Sequence, residues 1–117
     1  MKVAISAQGQ DISSQLHPGF GRAPGFIIYD LDTGEQTYLP NSANRAGGRG
    51  VGARTAQDVV ESGVQAVLTG QVGPKAFSYL RGKDIRIYLT QAATVQEGLQ
   101  ALKDGQLQPT DSLLNQS

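Results

Sequence analysis

Val3 and Ile5 alternate with Lys2, Ala4 and Ser6 at the start of the chain, and this period of two predicts a strand over Lys2 to Ala7. Residues 8–25 are rich in Gly, Gln, Ser and Pro and read as a long loop. The apolar run Phe26-Ile27-Ile28-Tyr29, the turn signal Asp32-Thr33-Gly34 and the return over Gln36 to Leu39 together predict a hairpin spanning 26–40. A second loop follows at 41–50. Val59 and Val60 then fall eight and nine residues after Val51, with Ala53 and Ala56 as small packing positions, so a helix is expected from Val51 to Ser62. Gly63 is its stop signal.

Val64 to Thr69 reads as a strand, and its unbroken Ala66-Val67-Leu68 implies burial on both faces. Pro74 suits the first position of a helix reaching about Arg81, with Ala76, Phe77 and Leu80 inward. Ile85 to Leu89 is the last expected strand. Thr94-Val95-Gln96-Glu97 forms a capping box that opens a helix through about Asp104, with Leu99 and Leu102 toward the core. The order β-β-β-α-β-α-β-α joins a hairpin to parallel βαβ units, which defines a mixed α/β sheet with helices on its faces. Residues 1–105 are expected to form a single domain and 106–117 a flexible tail.

Composition removes several classes of function. With 117 residues, the chain fits one compact domain. Ten basic and ten acidic residues cancel, which argues against a nucleic-acid binder working through bulk positive charge. No stretch approaches the ~18 consecutive apolar residues of a membrane helix. The first residues read as a strand and not as a signal peptide, so a cytoplasmic protein is expected. The absence of cysteine excludes disulfides, thiolate zinc sites and ordinary cysteine-ligated iron–sulfur clusters.

The charge is uneven along the chain. No acidic residue lies between Glu35 and Asp58, whereas Arg45, Arg49 and Arg54 do, and Arg22 adds a fourth guanidinium in the first long loop. Gly47, Gly48 and Gly50 let backbone N–H groups converge just ahead of a helix, an arrangement suited to a large, weakly hydrated anion. The plain alternative is a solvated loop. Small-residue loops also precede the helices at 70–74 and 91–94, and in a parallel sheet such loops emerge where ligands bind. Neither Thr69-Gly70-Gln71-Val72-Gly73-Pro74-Lys75 nor Gly48-Arg49-Gly50-Val51-Gly52 has the spacing of a phosphate or dinucleotide motif. His17, the one histidine, gives at most one metal bond and cannot build a zinc site alone. Nucleophilic catalysis lacks partners, and the first strand has none of the carboxylates that two-metal hydrolysis needs. Asp30 and Asp32 read as turn residues.

Gly19-Phe20-Gly21-Arg22-Ala23 followed by Phe26, the Asn41…Gly47-Gly48-Arg49-Gly50 loop, Thr69-Gly70…Gly73-Pro74-Lys75-Ala76-Phe77 and the Thr94-Val95…Glu97 helix start occur in order. Together they resemble the dinitrogenase iron–molybdenum cofactor biosynthesis family over residues 1–105. The resemblance implies a ribonuclease-H-like three-layer α/β/α fold with a five-stranded mixed sheet. It implies non-enzymatic, non-covalent binding of a metal–sulfur cofactor. The cysteine-free, single-domain build is similar to that of members whose cargo is a molybdenum–copper sulfide cluster; another molybdenum or iron–sulfur cluster is the wider expectation. Where cofactor-binding members often have histidine directly before Phe-Gly, this chain has Gly19, with His17 two positions earlier. Many members have glycine where this chain has Ala93.

A sulfide cluster is a soft polyanion that brings its own ligands, so the protein must supply charge, N–H donors and an apolar wall. Arg22, Arg45 and Arg49 are expected to supply charge, and Gly47, Gly48, Gly50 and Gly73 donors. Phe20, Val51, Val72, Ala92 and Ala93 are expected to line the wall. His17, Gly21, Asn44 and Thr94 complete the expected cofactor-binding set. The implied partners are the cluster and a protein that donates or accepts it, with no nucleic acid and no membrane, and the chain is expected to be a monomer. The alternative is a module for another anionic metabolite or a partner protein.

Overall fold

The computed structural model describes residues 1–41 and 51–110. Its elements are β1 (Lys2–Ala7), β2 (Gly25–Asp30), β3 (Gln36–Pro40), α1 (Val51–Glu61), β4 (Ala66–Thr69), α2 (Pro74–Gly82), β5 (Arg86–Leu89) and α3 (Val95–Lys103). They build one mixed sheet of order β3-β2-β1-β4-β5. β1, β4 and β5 are parallel, and the β2–β3 hairpin joins the β1 edge antiparallel.

The alternation along each strand separates two cores. Ala4, Phe26, Ile28, Val67 and Ile87 point to one face, where they meet Ala56 and Val59 of α1 and Ala76, Phe77 and Leu80 of α2. Val3, Ile5, Ile27, Leu68 and Tyr88 point to the other, where they meet Val95 and Leu99 of α3. The sheet is thus the middle of three layers, and burial of each of the Val, Leu, Ile and Phe side chains contributes about 1.5–3 kcal/mol. No described helix is long and apolar enough to cross a membrane.

The expected and observed elements differ at their ends for local reasons. Val64 is buried, but the β1–β4 ladder begins only at Ala66. Ile85 was expected to open β5; its N–H instead donates to the Leu80 carbonyl at 3.0 Å, closing α2, and the strand starts at Arg86. The first residues of the polar C-terminal segment are tied down. Thr110 N–H donates to the Ile87 carbonyl at 2.7 Å along the β5 edge, and Leu107 packs against the α3-side core. Residues 111–117 lie outside the described residues.

Candidate functional site at the carboxyl end of the parallel strands

The register places the working loops at one end of the molecule. Ala7, the last residue of β1, pairs with Gly25, the first of β2, which pairs with Pro40, the last of β3. Residues 8–24, the chain leaving β3 at Asn41, the 70–73 loop after β4 and the 90–94 loop after β5 therefore all gather at the carboxyl end of the parallel strands. This is where open α/β sheets bind ligands.

Backbone bonds fold the long first loop into an arch. Gln8 N–H donates to the Gln15 carbonyl at 2.9 Å, His17 N–H to Ser6 at 2.9 Å and Leu16 N–H to Ala93 at 3.0 Å. Below the arch lies a buried hydroxyl pair. Ser6 Oγ donates to the His17 carbonyl at 2.6 Å, so the Thr69 hydroxyl, 2.7 Å away, must be the donor in the bond between them. Both side chains are fully buried, which joins the ends of β1 and β4 to the arch.

The half-buried His17 ring turns back onto its own loop. Nδ1 lies 3.0 Å from the Gly19 nitrogen and 3.1 Å from the Gly19 oxygen. One tautomer accepts from the Gly19 N–H. The other donates to the Gly19 carbonyl and opens the Nε2 lone pair, as metal-ligating histidines do.

Asn41 is the second anchor, 2% exposed. Its amide donates to the carbonyls of Gly21 at 3.3 Å and Ala23 at 3.0 Å, its Oδ1 accepts from Thr55 of α1 at 3.0 Å, and its own N–H donates to Pro24 at 2.8 Å. One side chain thus fixes the Arg22 segment to α1. The sequence marked Asn41 only as a strand end and as one member of the family motif. A polar residue just past a strand, with a threonine fourteen positions on, is too common a signal to reveal such an anchor.

The three helix N-termini are not equivalent. Those of α1 and α2 adjoin, since a Cβ on Gly52 would meet the Ala76 Cβ at 3.6 Å. Neither helix has an acidic residue in its first turn, and α2 has no side-chain cap. Among the described residues, the Lys75 and Ala76 N–H groups have no partner. This pair of positive dipole ends can receive an anion. The N-terminus of α3 is closed. Val95 N–H donates to Ser14 at 3.0 Å, Gln96 N–H to Ile12 at 2.8 Å and Glu97 N–H to the Thr94 hydroxyl at 3.1 Å.

Between the arch and the other two loops opens a cleft of about 530 Å³. It is lined by Gln8, Gln15, Leu16 and Pro18 of the arch, Gly70 and Gln71, and Thr90 to Ala93, with no charged side chain among them. Ala92 and Ala93 line it as expected. Phe20 and Val72 do not: they are 1% and 6% exposed and belong to the α1/α2-side core, where the Phe20 ring packs on Phe26 at 5.2 Å. The Thr94 hydroxyl is committed to Glu97, accepting from its N–H and donating to its carboxylate. Arg22 is exposed with no ion-pair partner among the described residues. Gly21 contributes its carbonyl to Asn41, Gly73 is the exposed N-cap of α2, and Val51 opens α1. Asn44, Arg45, Gly47, Gly48, Arg49 and Gly50 lie outside the described residues. The four cleft glutamines were not in the expected set, because an isolated glutamine in a polar loop carries no distinguishing signal. Among the described residues, no three His, Asp or Glu side chains come together.

Uncommitted N–H donors at the start of α2 and a cleft with no charged side chain among the described residues thus lie at one end of the α/β scaffold. A family model described as dinitrogenase iron–molybdenum cofactor matches residues 1–105, and the chain belongs to that family. It is similar to the apo form of the orange protein from Desulfovibrio gigas, with 34% identity, a TM-score of 0.91 and coverage of 95% of this chain and 93% of that one. A NifB candidate protein from Thermotoga shows 33% identity and a TM-score of 0.84, covering 96% and 95%. An uncharacterized protein of Methanocaldococcus jannaschii is 30% identical over 111 residues, covering 92% of this chain and 90% of its own length.

Proposed function

We propose that this protein binds an anionic metal–sulfur cluster without covalent attachment and carries or stores it, acting in the cytoplasm as a monomer and catalysing no reaction. A molybdenum–copper sulfide cluster is the specific cargo proposed, within a wider class of molybdenum or iron–sulfur clusters. The observation that carries this reading is the clustering of anion-compatible features at one end of the sheet. Two adjoining helix N-termini, the exposed Arg22 and a cleft with no charged side chain among the described residues lie there. Family membership and the likeness to a protein described in an apo form support the same reading.

The donor set suits such a cargo. A cluster that brings its own sulfides needs no protein thiolate, and this chain has no cysteine. It needs N–H donors and cations, supplied by the α2 first turn, Arg22 and, in this proposal, Arg45 and Arg49. Each charge-assisted hydrogen bond contributes about 1.5–3 kcal/mol. Four or five of them reach the roughly 8 kcal/mol that micromolar affinity requires. The cluster would pass to or from a partner protein that assembles or uses it.

The test is an absorption spectrum with elemental analysis of protein isolated gently from its native host. The expected result is a visible band with stoichiometric molybdenum, copper or iron and excess sulfide. A colourless, metal-free protein that also fails to take up tetrathiomolybdate with copper would overturn the reading, leaving a module for another anionic metabolite or a partner protein.

A further inference from the structure

We infer that Asn41 is a positioning residue for the cargo: buried itself, it fixes Arg22 relative to the adjoining N-termini of α1 and α2, so that cation and helix dipoles act on one anion. The inference rests on the cluster-binding reading above and names the residue through which Arg22 acts. Arg22 is exposed, and its segment is flanked by the buried Phe20 and Ala23. Two ties hold that segment. Phe20 N–H donates to the carbonyl of Gln71, which lies two positions ahead of Gly73, the N-cap of α2. On the other side, the Asn41 amide donates to the Gly21 carbonyl at 3.3 Å and the Ala23 carbonyl at 3.0 Å, so it brackets Arg22. Its Oδ1 accepts at 3.0 Å from Thr55, about one turn into α1. Arg22 thus hangs between a tie to each helix. The tie to α2 is backbone alone, whereas the tie to α1 passes through one side chain.

A carboxamide suits this place. Its nitrogen donates twice and its oxygen accepts, whereas an ionised carboxylate of the same shape only accepts. Fixing Arg22 in advance raises affinity, because a segment that its ligand must order loses part of the interaction to that ordering. The direction of the field agrees. Neither α1 nor α2 has an acidic residue in its first turn, so Arg22 adds to the positive dipole ends with no carboxylate there to cancel it. Asn41 is 2% exposed and acts on the anion only through Arg22.

The experiment measures retention of tetrathiomolybdate plus a copper salt by equilibrium dialysis, in the wild type and in variants. Arg22→Gln and Asn41→Asp are each expected to weaken retention by about tenfold, the scale of one charge-assisted bond. Thr55→Val, which breaks only the tie to α1, is expected to weaken it by about threefold. Combined with Arg22→Gln, neither Asn41→Asp nor Thr55→Val is expected to weaken retention further, because both act through the missing guanidinium. A merely structural role would lower retention in that background too. In the apo chain, the backbone order parameter at Arg22 is expected to fall below about 0.6 in Asn41→Asp, with α1 and α2 as in the wild type. Should Asn41→Asp not fold, Thr55→Val decides by both readouts. Wild-type retention in Arg22→Gln, or in folded Asn41→Asp and Thr55→Val, would overturn the inference and leave the cluster reading standing. So would undiminished effects in the Arg22→Gln background or an unchanged order parameter at Arg22. Failure of the wild-type chain to load at all would overturn both.

Discussion

Gly70 lies directly beneath Pro18: a Cβ built on Gly70 would sit 2.6 Å from the Pro18 carbonyl oxygen and 2.8 Å from its Cα. The contact is backbone against backbone, so no rotamer change relieves it. It lets Gln71 N–H donate to Pro18 at 2.7 Å and Phe20 N–H to Gln71 at 3.1 Å, which locks the arch to the loop after β4. Gly70→Ala is therefore expected to destabilise the fold by about 1–3 kcal/mol, as overpacking does. It should also widen the cleft and speed loss of bound cluster. Urea denaturation and the rate of colour loss on dialysis check both parts, and wild-type behaviour in each would show that the loops tolerate separation.

The Ser6–Thr69 pair gives a prediction about coupling. Ser6→Ala leaves the buried Thr69 hydroxyl and the His17 carbonyl without their partner, at a cost of about 1–3 kcal/mol. Adding Thr69→Val removes one of the two orphaned groups. The double variant is then expected to be more stable than the sum of the single effects, and a double-mutant cycle in urea measures the difference. Strict additivity would mean the two hydroxyls do not act together.

Asp84 marks a place where stability can be gained. It adopts φ of 60° after α2, the left-handed region, within a paired C-terminal cap in which Asp84 N–H donates to Arg81 and Ile85 N–H to Leu80. A non-glycine residue there carries a steric cost of about 1 kcal/mol. Asp84→Gly is expected to recover most of it, raising the melting temperature by a few degrees. Cluster loading should not change, because the substitution lies at the opposite end of β5 from the cleft.

Charge in the second loop tests the proposed cargo site. Arg45→Ala with Arg49→Ala is expected to weaken cluster retention at least about tenfold, the loss of one or more charge-assisted bonds. Circular dichroism should be unchanged. Retention equal to the wild type would assign the site to the cleft and the α2 N-terminus alone.

The parts of the fold that obey a period were readable in advance. Lys2–Ala7 alternates and is a strand over that same span, and the hairpin and three helices occur where apolar spacing and caps placed them. Chemistry carried by long-range contacts was not readable. Phe20 and Val72, apolar residues in polar loops, suited a ligand wall as well as a core, and only the docking of the loops settles them in the core. The backbone closure of the α3 N-terminus was not readable for a related reason. The carbonyls of Ile12 and Ser14 that close it come from more than eighty residues away, and no local pattern announces them. Asn41 is similar, since its importance lies in whom it meets across the fold.

The β2–β3 hairpin makes a further point about how such a molecule can be handled. Because Asp30 pairs with Lys2 at the start of β1, the exposed turn at Asp32, Thr33 and Gly34 sits at the pole opposite the cleft. A fluorophore, surface tether or fused partner attached there leaves the loop-bearing pole pointing outward. The protein can thus be immobilised with its cleft side free, so that the proposed transfer of a cluster to an acceptor can be tested one encounter at a time.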